Sequence, residues 1–305
     1  MITWSRTLDA AGVTDTALRA DYTAQRRAAT RFRPEAAWAV RLLVPPALVP
    51  HVLVATAFMH HTDKLLDGEA PQAERLAEYR AWSAAVTAAL AREEADEPLL
   101  RALAHSAALH PPLRRCAQEF LATAQTELTA SGFATEADYQ AYLDDYSLPA
   151  LMVVACLLAP DTAEVRTAAR AYIDGSQRLD FVADLGEDLA AGRLGLPLTL
   201  LAEHGVSRAE LVAAAETPGT RALLRHALRL AGDALDQGRA VLPLTPPAHR
   251  ALLATLIGLD ELTARAAAEA GPAALLRSGA GPAKPAALAL LWRQWRAARR
   301  VDGEA

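Results

Sequence analysis

The chain has almost no cysteine, few aromatic residues and no basic block through its body. Two cysteines in 305 residues, Cys116 and Cys156, cannot build a disulfide framework. Both sit in apolar, helix-like surroundings that suit a reducing cytoplasm. Aromatics make up only 5%, and Ala and Leu dominate, which favours helix over strand. The net charge of -5 is modest, so nucleic acid is not an expected partner. The N-terminal MITWSRTLDAAG lacks the charged-then-apolar pattern of a signal peptide. The longest apolar run, Leu148 to Pro160, is too short to span a bilayer. These absences read as a cytoplasmic protein without stable membrane insertion. Its oligomeric state is not legible.

What is present is apolar helix punctuated by Pro and Gly, with a hydrophobic fraction of 52% to fill a core. The patterning predicts helices over about 15–31, 47–67, 73–94, 97–108, 112–130, 136–157, 162–190, 207–215, 219–239, 246–269 and 285–300. Thr135 to Asp138 and Ser207 to Glu210 have the form of capping boxes. No gap is long enough for a flexible interdomain linker. The expectation is a single all-α domain over 1–305, with its core in about 15–290 and a tail frayed from Arg296 onward.

Two segments carry D-x-x-x-D at the end of long apolar stretches: Asp63 with Asp67, and Asp180 with Asp184 and Asp188. Positions four apart share a helix face, where like charges disfavour the helix unless something offsets them. A hard divalent cation such as Mg²⁺ does so, because it takes carboxylate oxygens and shares them with phosphate. Two such pairs across a helical cavity would make a metal-diphosphate site. Alternatively, Asp180 to Asp188 is a solvated acidic face paired with Arg178 and Arg193, and Asp63 and Asp67 merely end a helix beside Lys64. His60 and His61 lack the further His or Cys ligands of a zinc or iron site. One of them is expected to line a cavity and the other to pack.

With these residues in view, the chain resembles the squalene/phytoene synthase family of all-α class I isoprenoid synthases. The first match is Asp63-Lys64-Leu65-Leu66-Asp67, against a family pattern like D-D-I-V-D. The second runs from Gln177 through Asp180, Asp184 and Asp188, then Gly192-Arg193-Leu194-Gly195-Leu196-Pro197. Weaker matches are Tyr22 and the Tyr142 to Leu151 segment. The resemblance implies a helical bundle with a central active-site cavity. It further implies Mg²⁺ held by Asp63, Asp67, Asp184 and Asp188, with a prenyl diphosphate donor as substrate. Arg193, Arg178, Lys64, Tyr22 and Gln177 are the candidate substrate contacts. Asp180, His60 and Tyr146 are the candidate catalytic groups, either of the first two as proton acceptor and Tyr146 facing a cation.

The departures shape the expected reaction. Lys64 replaces the second aspartate of the first motif, Asp180 an asparagine, Ala183 an arginine and Gly195 a tyrosine. Leu148-Pro149 interrupts a small-residue helix, and Thr30-Arg31-Phe32 replaces a Ser-Phe-Tyr segment. The four outer aspartates are kept while features that join two long prenyl chains are altered. The leading expectation is therefore prenyl transfer, with dimethylallyl diphosphate as donor, to a small aromatic, carbazole-like acceptor in secondary metabolism. The alternatives are a head-to-head prenyl synthase or terpene cyclase, and a non-catalytic homologue. Trp292 to Arg296 has the content of an interfacial anchor, with an ordinary packed terminal helix as the preferred reading.

Overall fold

The computed structural model describes residues 3–32, 34–130 and 132–304, with side chains described as far as Arg300. Among the described residues there is no strand. Helices run in chain order as α1 (Trp4–Ala10), α2 (Thr16–Phe32), α3 (Pro34–Leu43), α4 (Val49–Leu66), α5 (Gln72–Arg92), α6 (Pro98–Leu109) and α7 (Pro111–Thr123). A 3₁₀ turn (Ala124–Thr129) leads to α8 (Glu136–Tyr142), a π turn (Leu143–Ser147) and α9 (Leu148–Leu158). The remainder is α10 (Ala163–Ala183), α11 (Leu185–Ala190), α12 (Leu198–Glu203), α13 (Arg208–Val212), α14 (Pro218–Gly238), α15 (Val241–Leu244), α16 (Pro247–Ala270), α17 (Pro272–Ser278) and α18 (Lys284–Glu304).

Several ends follow from local chemistry. Thr135 caps α8 and Ser207 caps α13, each in the reciprocal box expected from the sequence. Proline opens α6, α7, α14 and α16, where its missing N–H costs nothing. Other features were not legible. Pro34–Leu43 is helical, and so is Pro272–Ser278, inside a stretch that reads as a break. Both are short and Pro-led, so periodicity has too few turns to show them. The expected 162–190 helix divides at Asp184, whose φ of -101° and ψ of 9° turn the backbone between α10 and α11. At the far end α18 continues helical through Glu304, past the expected fraying point.

The main core is built by α2, α4, α6, α7, α9 and α16, with Val52, Phe58, Leu103, Phe120 and Met152 fully enclosed. α10 packs along α14 more extensively than any other pair. Small residues permit that approach. A Cβ on Gly175 would lie 2.6 Å from the Leu235 nitrogen, and one on Gly238 would lie 2.5 Å from Tyr172 Cα. The contact fixes how α10 presents its polar face. The run Glu136–Leu158 is long and apolar enough to cross a membrane by length and composition. It nevertheless packs among α4, α7 and α10 and carries Tyr146 into a polar cavity, so it acts as a core element.

Candidate active site

A cavity of about 640 Å³ opens between the C-terminal end of α4 and the junction of α10 with α11. α4 supplies Asp63, and its C-cap residue Asp67, to one wall. Gln177, Asp180, Asp184 and Asp188 line the other, spaced by three or four residues on the inward face of α10 and α11. The backbone carries this stripe past the break. The Asp184 N–H donates to Asp180 O at 2.8 Å, and the Asp188 N–H donates to Asp184 O at 3.0 Å. Gly192 then takes φ +80°, and the Arg193 N–H returns to Asp188 O at 2.7 Å. This turn brings the Arg193 guanidinium back onto Asp188, with Nη2 2.7 Å from Oδ1.

Further groups complete the cavity that sequence reasoning did not single out. Arg75 from α5 donates Nε to Ala70 O at 3.0 Å and another N–H to Leu66 O, clamping the loop that follows Asp67. Glu127 lies on the 3₁₀ turn. Tyr142, which the sequence offered only as the start of a weakly matching segment, lies one helical turn before Tyr146. Phe133 and Phe181 close the apolar side, their ring centroids 5.9 Å apart. The Tyr146 hydroxyl donates to Asp63 Oδ1, joining the π turn to α4. A π turn often marks a functional position, and here it aims Tyr146 inward.

The electrostatics are those of a crowded acidic cleft. Burial, then the neighbouring Asp63 charge, pushes the Asp67 carboxyl up, against the pull of Arg193 and Arg75. Burial pushes the Glu127 carboxyl up to about 7, opposed by its hydrogen bond from Tyr142 and reinforced by Asp67 and Asp63. Tyr142 and Tyr146 are pushed up chiefly by burial and stay protonated donors. Such carboxylates suit a divalent cation, which would offset their repulsion. Among the described residues no three His, Cys, Asp or Glu side chains form a ready metal cluster. The aspartates instead face a shared space, which fits a cation that also takes oxygen from a substrate.

The structure moves four sequence-predicted contacts out of this cavity. Tyr22 is 1% exposed and buried among α4 and α6, its hydroxyl 2.7 Å from Ser106 Oγ and 2.9 Å from His105 Nδ1. It is a core tyrosine. Arg178 is buried against Asp174 at 2.7 Å and Glu136, and lies over the Tyr139 ring at 4.4 Å. Its charge is consumed by that network, and it is not among the residues lining the cavity. Lys64 is exposed and outside the lining, because one residue along a helix rotates the side chain about 100° from Asp63. His60 shares a face with Asp63, but the Phe32 ring stacks on it, and His61 packs 4.3 Å from the Trp82 ring. Neither histidine is among the cavity's described lining residues.

Comparisons with known proteins bear on the family and the fold. A family model described as squalene/phytoene synthase matches residues 31–285. The phytoene synthase of Thermus thermophilus is 40% identical over 112 residues, 33% of this chain and 39% of that one. The bifunctional protein CrtB/UppS of Streptomyces coelicolor is 30% identical over 190 residues, 61% of this chain and 33% of that one. The matches thus span only a third to two fifths of these curated relatives' length. The crystal structure of squalene synthase HpnC from Alicyclobacillus acidocaldarius superposes with a TM-score of 0.74 at 26% identity. That match covers 90% of this chain and 100% of the other.

Proposed function

This chain belongs to the squalene/phytoene synthase family, and we propose that it ionises an allylic prenyl diphosphate and joins the prenyl group to a second prenyl diphosphate. The observation that carries the reading is the pair of acidic walls, Asp63 with Asp67 and Asp184 with Asp188, facing one cavity beside Arg75 and Arg193. The relatives named as phytoene and squalene synthases support this acceptor over the aromatic one expected from the sequence. A soluble, cytoplasmic enzyme is the setting proposed with it.

The four aspartates would hold Mg²⁺, which when bound neutralises charge growing on the leaving diphosphate. Arg75 and Arg193 line the same cavity and would offer N–H donors to diphosphate oxygens. The allylic C–O bond breaks with its electron pair going to diphosphate oxygen. The cation left behind would lie among Tyr146, Tyr142, Phe133 and Phe181, which line the cavity and whose ring quadrupoles favour positive charge. A double bond of the acceptor supplies the electrons of the new C–C bond, and the proton then lost has Asp180 or Glu127 as a nearby acceptor. The Ser147 hydroxyl donates to Gln177 Oε1 at 3.2 Å and holds that side chain in the cavity wall.

One observation keeps the aromatic acceptor as a second reading. Lys64 points out of the cavity, Ala183 is buried without a guanidinium, and Gly195 leaves its space to the Phe181 ring. The resulting aromatic wall could seat a planar ring. Mass spectrometry decides between the two. Dimethylallyl, geranyl, farnesyl and geranylgeranyl diphosphate are each supplied with Mg²⁺, alone and with hydroxylated carbazoles, indoles and quinones. A hydrocarbon or prenyl-joined diphosphate from the long donors alone supports the synthase. A product carrying acceptor plus prenyl mass, formed only when both are present, would replace it with aromatic prenylation.

A further inference from the structure

α16 lays an otherwise apolar face against α10. Leu253 and Ile257 on that face belong to the main core, and Ala264 packs beside Leu179, Ala231 and Leu235. Between them, at the same helical spacing, stands Asp260. Its Oδ2 is buried without a hydrogen-bond partner among the described residues. Its polar neighbours are the hydroxyls of Tyr172 and Ser176, both from α10. Burial pushes the carboxyl up, the two hydroxyl donors pull it back, and the adjacent Glu261 charge adds to the rise. Among the described residues no Lys, Arg or His forms an ion pair with Asp260, and Arg239 is taken by Glu261.

A buried carboxylate without a cation costs stability that a leucine at this position would not. Such a charge is a functional candidate when a site lies beside it. Here one does. Tyr172, Ser176 and Asp180 follow one another at four-residue spacing, so the stripe that lines the cavity at Asp180 continues along α10 to the two hydroxyls. Ser176 lies about 6 Å and Tyr172 about 12 Å along the helix axis from Asp180. The Asp180 charge reaches Tyr172, which ties the two groups electrostatically. Tyr172, Ser176 and Asp260 each keep part of their surface uncovered, although α10 and α16 pack there.

We propose that Asp260, with Tyr172 and Ser176, is the counter-charge for the carbocation that forms on the acceptor once the new C–C bond is made. The inference rests on the prenyl-joining reading above. The first cation lies beside the departing diphosphate, which balances it. When the acceptor's double bond gives up its electrons, the positive charge moves onto the acceptor and away from the diphosphate. The outer aspartates are committed to the diphosphate end. A fixed carboxylate that folding has already desolvated stabilises the second cation without reorganising. The missing partner of Asp260 is thus supplied by the reaction itself. No bond to Asp260 forms, and the proton lost afterwards leaves by the route already given.

The test titrates the full chain with dodecyltrimethylammonium by calorimetry, below its micelle-forming concentration. Mg²⁺ and inorganic diphosphate are present to fill the aspartate end. The wild type should bind this cation, and Asp260→Asn should weaken binding by about tenfold or more. Asp233→Asn, at an exposed position on α14, should leave it unchanged. Turnover gives a second readout. With farnesyl diphosphate, Asp260→Asn should still release diphosphate but lose about 100-fold in joined product, the donor leaving as its alcohol after capture by water. Tyr172→Phe keeps the ring, removes one hydroxyl from the carboxylate and should shift the same ratio in the same direction, so the outcome does not hang on one variant folding. A carboxyl that only packs α16 on α10 would move urea unfolding and leave the ratio of joined product to alcohol alone. An unchanged ratio, or ammonium affinity in Asp260→Asn within about twofold of wild type, would overturn the proposal. A wild type that releases no diphosphate would overturn the prenyl-joining reading instead, and the ammonium titration would then judge the cation site by itself.

Discussion

Replacing Glu127 with Gln should stabilise the protein at neutral and alkaline pH and leave it nearly unchanged below the ordinary glutamate value of 4.5. Burial, with the Asp67 and Asp63 charges, raises this carboxyl from 4.5 to about 7 in the folded state. A raised carboxyl contributes stability below its unfolded value, and that contribution is lost as pH climbs through the folded value. The shift corresponds, at about 1.4 kcal/mol per unit, to about 3 kcal/mol. Partial solvent access reduces this to about 1–2 kcal/mol. Glutamine keeps the shape and cannot ionise, so it escapes the penalty. Urea unfolding of both proteins across the acidic to alkaline range, without metal, should give curves that meet below the ordinary glutamate value. The gap should open between 4.5 and about 7 and stay constant above that, with the variant the more stable. Mg²⁺ should narrow the alkaline gap, since a bound cation offsets the same repulsion. A gap independent of pH, or a variant less stable at alkaline pH, would refute the assignment of this carboxylate to the crowded acidic cavity.

Other outcomes separate cavity groups from core groups. Asp184→Asn should cut product formation by about 100-fold or more while leaving the circular dichroism spectrum intact, because the change removes charge from an exposed junction. Tyr22→Phe should cost about 1–2 kcal/mol in urea unfolding through its lost hydrogen bonds, with kcat/KM unchanged, since the hydroxyl is enclosed by Ser106 and His105. Gly195→Ala places a Cβ inside the Phe181 ring, so that ring must swing into the cavity. Overpacking of this kind costs about 1–3 kcal/mol, read as a lower Tm, and the narrowed cavity should raise KM for the longest diphosphate donor.

Helix content and the family resemblance were legible because they live in local pattern. Apolar spacing, Pro and Gly punctuation, capping boxes and two D-x-x-x-D pairs are features of neighbouring residues. They point to an all-α family member and to the residues that line its cavity, from Asp63 and Asp67 to Gln177, Asp180, Asp184, Asp188, Arg193 and Tyr146. Folding decided what those segments face. Arg178 sits in the same motif as Gln177, yet the roughly 100° turn between successive helical residues sends one to an ion-pair network and the other to the cavity. Tyr22 reads as a site tyrosine until α4 and α6 close over it. Arg75, Glu127 and Phe133 carry no motif, and they reach the site only because α5, the 3₁₀ turn and the loop before α8 converge there. The two tryptophans of α18, three residues apart, part company for a similar reason: one faces the core, and the other faces solvent beside a row of arginines. Sequence determines which groups a helix can offer on each face, and the packing of one helix on another selects the face that becomes an interior.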